Sequence, residues 1–220
     1  MVVDRRALEA VFARLLGVHG PQGWWPGESR FEIIVGALLI QRTNWRNAER
    51  ALARLRAAGV LAQEALATLA PDALAELVRP AGFYRQKAAR LGALSRWLVD
   101  QGGCDALAAL DDATLRAAWL GRPGVGPETA DAIVLYAYER PSFVVDAYAR
   151  RLFARLGLVR GDEPYEVLRG ALEAALAADS AYYNEFHALI VAHGKARCGT
   201  RPRCDGCTLA AGCAHARRAR

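Results

Sequence analysis

Apolar positions recur at helical spacing almost from one end of this chain to the other. Leu8, Val11, Phe12, Leu15 and Leu16 line one face of a segment that Asp4 can cap and that Gly17 is expected to end. Phe31–Ile40 is apolar nearly all round and predicts a buried central helix. Asn44 suits the cap of a helix over Trp45–Ala58, with Gly59 closing it. Further helices are predicted over Pro71–Val78, Tyr84–Gln101, Asp112–Trp119, Pro127–Tyr138, Ala147–Leu156, Pro164–Ala177 and Ala181–His193. No stretch alternates with the period of a strand, connections are short, and there is no repeat. The fold class is all-α.

Composition changes this picture little. The 220 residues are 53% hydrophobic and 24% charged, which excludes a mainly disordered or collagen-like chain. The longest uncharged run, Leu15 to Gly27, is broken by glycines and prolines, whereas a spanning helix needs about 20 apolar residues. No membrane partner is expected, and with no basic-then-apolar leader the expected location is cytoplasmic. Charge is more telling. Lys and Arg number 29 against 23 Asp and Glu, and the whole excess falls between Lys195 and Arg220. Such a patch points to a polyanion, with a merely solvated tail as the plain alternative.

Cys104 stands alone and reads as a small core residue. Cys198, Cys204, Cys207 and Cys213 form a compact C-x5-C-x2-C-x5-C cluster, which in a cytosolic chain implies a metal site rather than disulfides. One C-x-x-C pair with two outlying cysteines suits an iron–sulfur centre better than zinc, which usually takes two separated knuckles.

Leu120-Gly-Arg-Pro-Gly-Val-Gly-Pro-Glu-Thr-Ala-Asp131 joins two predicted helices by a tight glycine hairpin. Gly124 and Gly126 are expected to take positive φ, and Pro127 suits a first helical turn. Outward N–H groups at such a helix start can seat a phosphate, although a plain connector would use similar residues. Asp146 follows an apolar run and opens the next helix, where its carboxylate can face a bound nucleotide.

Pro123–Ala130, Asp146 about twenty residues on, and the cysteine cluster together resemble the helix-hairpin-helix DNA glycosylases of the endonuclease III superfamily. Phe31-Glu32-x6-Leu39-Ile40-Gln41-x-Thr43, Gly82-Phe83-Tyr84-Arg85-Gln86-Lys87-Ala88 and His193-Gly194-Lys195 are similar to three more of the family's segments, in the same order. The resemblance implies a six-helix domain over residues 26–140, with the hairpin motif at about 112–138. A second domain would combine 1–25 with the cluster-bearing 141–220, and a cleft between the two would take double-stranded DNA containing damaged bases. It also implies a monomer at the bacterial nucleoid that flips a damaged base from the duplex and cuts its glycosidic bond. Gln41 and Phe83 would fill the vacated space, and Gly124, Val125, Gly126, Thr129 and Lys195 would contact DNA. Asp146 would be catalytic, the four cysteines would hold a [4Fe–4S] cluster, and a monovalent cation would sit at the hairpin.

The chain departs from the family in two places. Five residues separate the first two cluster cysteines where endonuclease III has six, so an altered loop is expected. Glu128 stands where strand-cleaving members carry a lysine, and a carboxylate cannot form an imine with a sugar aldehyde. A monofunctional enzyme with weak or absent abasic-site lyase activity is therefore expected. Trp24-Trp25-Pro26, Trp45 and Gly-x-Glu-x-Ala-Asp-Ala at 126–132 resemble the bacterial 3-methyladenine glycosylases, which line the base pocket with such aromatics but lack the cysteines. An alkylated purine is cationic, and an indole face attracts a cation by about 2 kcal/mol once water is excluded. The alternatives are a core role for these aromatics, an endonuclease III-like glycosylase and lyase acting on oxidised pyrimidines, and a non-catalytic protein that binds damaged DNA.

Overall fold

The computed structural model describes residues 1–218; Arg220, counted above in the basic tail, lies outside the described residues. Among the described residues there are twelve α-helices and no strand. In chain order they are α1 (Arg5–His19), α2 (Arg30–Leu39), α3 (Trp45–Ala57), α4 (Gln63–Thr68), α5 (Pro71–Val78) and α6 (Tyr84–Asp100). Then come α7 (Asp112–Leu120), α8 (Pro127–Tyr138), α9 (Ala147–Leu156), α10 (Tyr165–Ala175), α11 (Ser180–Ala196) and α12 (Ala214–Arg218).

Side-chain caps set several of the starts. Asp4 accepts from the N–H groups of Arg6 and Ala7, Asn44 from Asn47, Asp111 from Thr114 and Asp179 from Tyr182. Gly17 does not end α1. The helix runs on to His19 and closes at Gly20, whose φ is 68°. An interior glycine costs a helix only about 1 kcal/mol, which the packing of Leu8, Val11 and Leu15 readily offsets. Beyond the six helices expected over residues 26–140, α4 is an additional short one with no side-chain cap.

The chain divides into two compact units, residues 25–138 and residues 1–24 with 139–220. In the first, α2 is the central element. Its Ile34, Val35, Leu38 and Leu39 are buried, and it packs on α8 through a core that includes Ile133 and Val134. Helices α4 and α5 cover α6. The α7–α8 pair is clamped by Arg116, whose Nε and Nη2 donate to the fully buried Asp131 carboxylate at 2.6 and 3.1 Å. In the second unit, α11 is the hub against which α1 and α9 pack, with Phe143, Phe153, Tyr183 and Phe186 meeting edge to face. No described helix is long and apolar enough to cross a membrane.

Candidate functional site

The hairpin between α7 and α8 is built by one turn residue and one anchor. Gly124 has φ +83°, and a Cβ there would strike the Arg90 side chain, so no other residue fits without strain. Val125 is the anchor. Its side chain is buried in the core and its N–H donates to the Arg122 carbonyl at 3.0 Å, so it offers no free donor to a phosphate. Gly126 does not share the positive φ expected of it. Once Gly124 has turned the chain, Gly126 can start α8 in an ordinary conformation, its carbonyl accepting from Ala130 at 2.9 Å. A Cβ at Gly126 would meet nothing within 4 Å. Among the described residues the N–H groups of Gly124 and Gly126 donate to no protein acceptor. Glu128 is exposed in the first turn of α8, where the helix dipole favours an acid.

Gln41, expected to enter the DNA, is occupied at the hairpin. Its amide nitrogen donates to the Gly124 carbonyl and to Thr129 Oγ1, both at 3.0 Å, while Arg90 Nη1 approaches its oxygen at 3.4 Å. The hairpin presents an acceptor carbonyl and a hydroxyl side by side, which satisfies both amide hydrogens.

Phe83 stands at the N-terminus of α6 with 58% of its surface exposed and φ at 46°, a left-handed conformation rare for a bulky residue. Arg42, also exposed, has φ 55°, and its guanidinium lies 6.0 Å from the centre of the Phe83 ring. Beneath them, Lys87 is only 3% exposed. Its ammonium donates to the carbonyls of Leu39 and Ala81 at 2.8 Å each, tying the end of α2 to the loop that carries Phe83. Burial, and secondarily the neighbouring charge of Arg90, depress its pKa to about 8. This tether is invisible in the sequence, where Lys87 is one more helical basic residue.

Asp146 is the cap of α9. Its Oδ1 accepts from Ala149 N–H at 2.8 Å, and its Oδ2 lies 3.6 Å from His187 Nε2, a group 41 positions later that no motif points to. Burial pushes the carboxyl pKa up. His187, by hydrogen bond and charge, together with the N–H groups of Ala149 and Tyr148, more than reverses this, and Asp146 ends below the ordinary carboxylate value. Gly194 makes room for Tyr148, since a Cβ at 194 would strike the tyrosine ring. Lys195 is exposed in the last turn of α11.

The aromatic residues separate. Trp25 meets Trp45 edge to face at 5.1 Å and Tyr136 of α8 at 5.2 Å, and its ring lies over Gly36 of α2. Tyr136 belongs to this group without having been singled out from the sequence. Pro26 is exposed, and Trp24 belongs to the other unit.

All four clustered cysteines are free thiols that line one small hollow. Burial, followed by the charges of Cys213, Cys207 and Cys198, pushes the Cys204 thiol up, as expected when four potential anions crowd together. Arg155 of α9 grips the loop, donating to Cys198 Sγ at 3.3 Å and to the carbonyls of Gly199 and Thr200 at 2.6 and 2.9 Å. Among the described residues no three His, Cys, Asp or Glu side chains converge closely enough to hold a single metal ion.

An all-helical chain with a glycine hairpin opening one helix and a carboxylate capping the next has the architecture of a helix-hairpin-helix DNA repair protein. Residues 35–177 match the profile of the HhH-GPD superfamily base excision DNA repair proteins, and the chain belongs to that family. It is 43% identical, over 90% of its length and 92% of the relative's, to a Methanocaldococcus jannaschii protein named provisionally as a DNA repair glycosylase. It is 32% identical to endonuclease III of Thermotoga maritima, covering 86% of this chain and 84% of that one. Among solved structures, the 3-methyladenine DNA glycosylase of Helicobacter pylori bound to 1,N6-ethenoadenine superposes with a TM-score of 0.72 at 30% identity, covering 87% of this chain and 95% of that one. A complex of endonuclease III with DNA gives a TM-score of 0.84 over 99% of both chains; at 19% identity this shows the fold. The protein is thus a DNA glycosylase of the base-excision type.

Proposed function

We propose that this glycosylase hydrolyses the N-glycosidic bond of an alkylated purine and leaves the strand uncut. The observation that carries the reading is the Trp25–Trp45–Tyr136 group beside α2 and α8, two half-buried indoles that remain open to solvent in part, backed by the buried Tyr136 ring. Such faces attract a cationic base, and a cationic base is already a good leaving group. The similarity to a 3-methyladenine glycosylase supports the same choice. In the reaction the C1′–N bond breaks, the cationic base leaves neutral with the bonding electrons, and water adds at C1′ as its proton passes to solvent. Asp146 faces the developing oxocarbenium ion as an anion. Its depressed pKa makes it a poor proton acceptor, so its main role is electrostatic and water-orienting. Gly124 and Gly126 N–H groups seat a phosphate of the damaged strand. The carbonyls of Gly121, Pro123 and Val125, which accept no hydrogen bond among the described residues, suit a monovalent cation.

A lyase step needs an accessible amine. Glu128 is not one and Lys87 is buried on two carbonyls, so any lyase activity would fall to the exposed Lys195, and an adduct that disappears in Lys195→Ala would overturn this part of the reading. The cysteines belong to the same proposal. Four thiols around one hollow, spaced as one C-x-x-C pair with two outlying cysteines, suit the ligand set of a [4Fe–4S] cluster. When bound it would cross-link the loop through Cys198, Cys204, Cys207 and Cys213. Metal analysis should find about four irons per chain, and one zinc with no iron would overturn this assignment.

The decisive experiment is base release from duplexes carrying single lesions. Release of 3-methyladenine and 7-methylguanine, no release of thymine glycol, and little borohydride-trapped adduct on abasic DNA are expected. The similarity to endonuclease III favours the second reading, in which thymine glycol is released and a covalent adduct forms.

A further inference from the structure

Three exposed residues that are not glycine hold left-handed backbone, Arg42, Phe83 and Glu139, and of these Arg42 and Phe83 face each other. Strain of this kind persists only where the surroundings impose it, and it collects at functional sites. The buried Lys87 ties the two segments that carry them together, holding the carbonyl of Leu39 on one side and of Ala81 on the other. The two tips therefore form one projection with an aromatic face and a guanidinium. Gln41 is not part of it, since its amide is spent on Gly124 and Thr129.

We propose that Arg42, rather than Gln41, accompanies Phe83 into the space left by the flipped nucleotide, and that its guanidinium reads the orphaned base and selects cytosine. The inference rests on the base-flipping reading above. A guanidinium carries only donors, arranged as a planar fork. An orphaned base turns its Watson–Crick edge to the gap. Cytosine presents two adjacent acceptors there, O2 and N3. Guanine sets O6 beside the N1–H donor, thymine separates its two acceptors by N3–H, and adenine offers N1 alone. Only cytosine matches the fork with two bonds. A base opposite cytosine is a guanine, so within the alkylated purines the preferred lesion is a modified guanine.

The test uses the full-length protein and duplexes holding a tetrahydrofuran abasic analogue opposite each of the four bases, which frees the result from lesion identity. Dissociation constants at one fixed salt concentration should favour cytosine over adenine by about ten-fold in the wild type. Arg42→Ala should level the four values, and Arg42→Lys, a point charge without the fork, should keep affinity but lose most of the preference. Gln41→Ala should retain it. Arg42 is exposed, so thermal melts of the two Arg42 variants should match the wild type. A wild type without preference, a preference that survives Arg42→Ala, or one lost only in Gln41→Ala would overturn the proposal. If the wild type failed to separate abasic from undamaged duplexes, the base-flipping reading itself would fall.

Discussion

Asp146 caps the N-terminus of α9, and in the proposed function the same carboxylate also supplies the negative charge beside the sugar. The two jobs separate in Asp146→Asn. Asparagine caps as well as aspartate, so the melting temperature should barely move, while single-turnover base release should fall at least about a hundred-fold. Equal losses of stability and activity would make the residue a cap and nothing more. Lys87 gives the second residue-scale test. Its folded pKa is about 8 against 10.5 for the free side chain. Between those values the unfolded chain holds a proton that the folded chain has released, so unfolding free energy gains a rising contribution with pH in that window. Melts from pH 8 to 9.5 should therefore show wild type gaining on Lys87→Met as pH rises. Parallel curves would mean the ammonium is not desolvated. Higher pH is avoided because burial holds Tyr182 and Tyr183 protonated up to about 12, which works in the opposite direction.

At the scale of elements, the two hairpin glycines predict opposite outcomes. Gly124→Ala forces a side chain into left-handed backbone and against Arg90, and should cost about 1–2 kcal/mol in urea unfolding. Gly126→Ala meets nothing and strains nothing, so stability should hold while duplex affinity falls, because the new methyl group blocks the approach of a phosphate. Unchanged affinity in Gly126→Ala would place the phosphate elsewhere. The same glycines show where sequence reading reaches its limit. Long helices announced themselves through apolar period and cap, as with Asp4 before α1 and Asn44 before α3. Helix α4 did not, being six residues long and uncapped, too short for any period to register. Gly17 looked like a stop because local propensity cannot weigh the tertiary packing that carries α1 through it. Within the site, Asp146, the cysteines and the hairpin were legible because spacing along the chain carries them. His187, Tyr136 and the Lys87 tether were not, since each depends on which residues meet after folding.

For the whole molecule, charge is distributed so that the first 194 residues are neutral and the end is basic. Arg217 and Arg218 lie on α12, and Arg220 follows beyond the described residues. Replacing all three by glutamine should weaken binding to every duplex alike and flatten the dependence of log affinity on log salt. Identical slopes for variant and wild type would make the tail a solvated end. The division of the chain has a different consequence, one that concerns synthesis. The unit of residues 25–138 is continuous and can fold as soon as it leaves the ribosome. The other unit begins with α1 but waits for α11, because Phe12 must find Tyr182 and Phe186, and His19 must find His193, 174 positions later. At about 5–20 residues per second, the apolar stripe of α1 stays uncovered for roughly ten seconds or more on every nascent chain. Transferring α1 to follow α12 in a circular permutant would remove that interval, making unit 25–138 the first to emerge and the α1–α11 pairing a late, nearly local event.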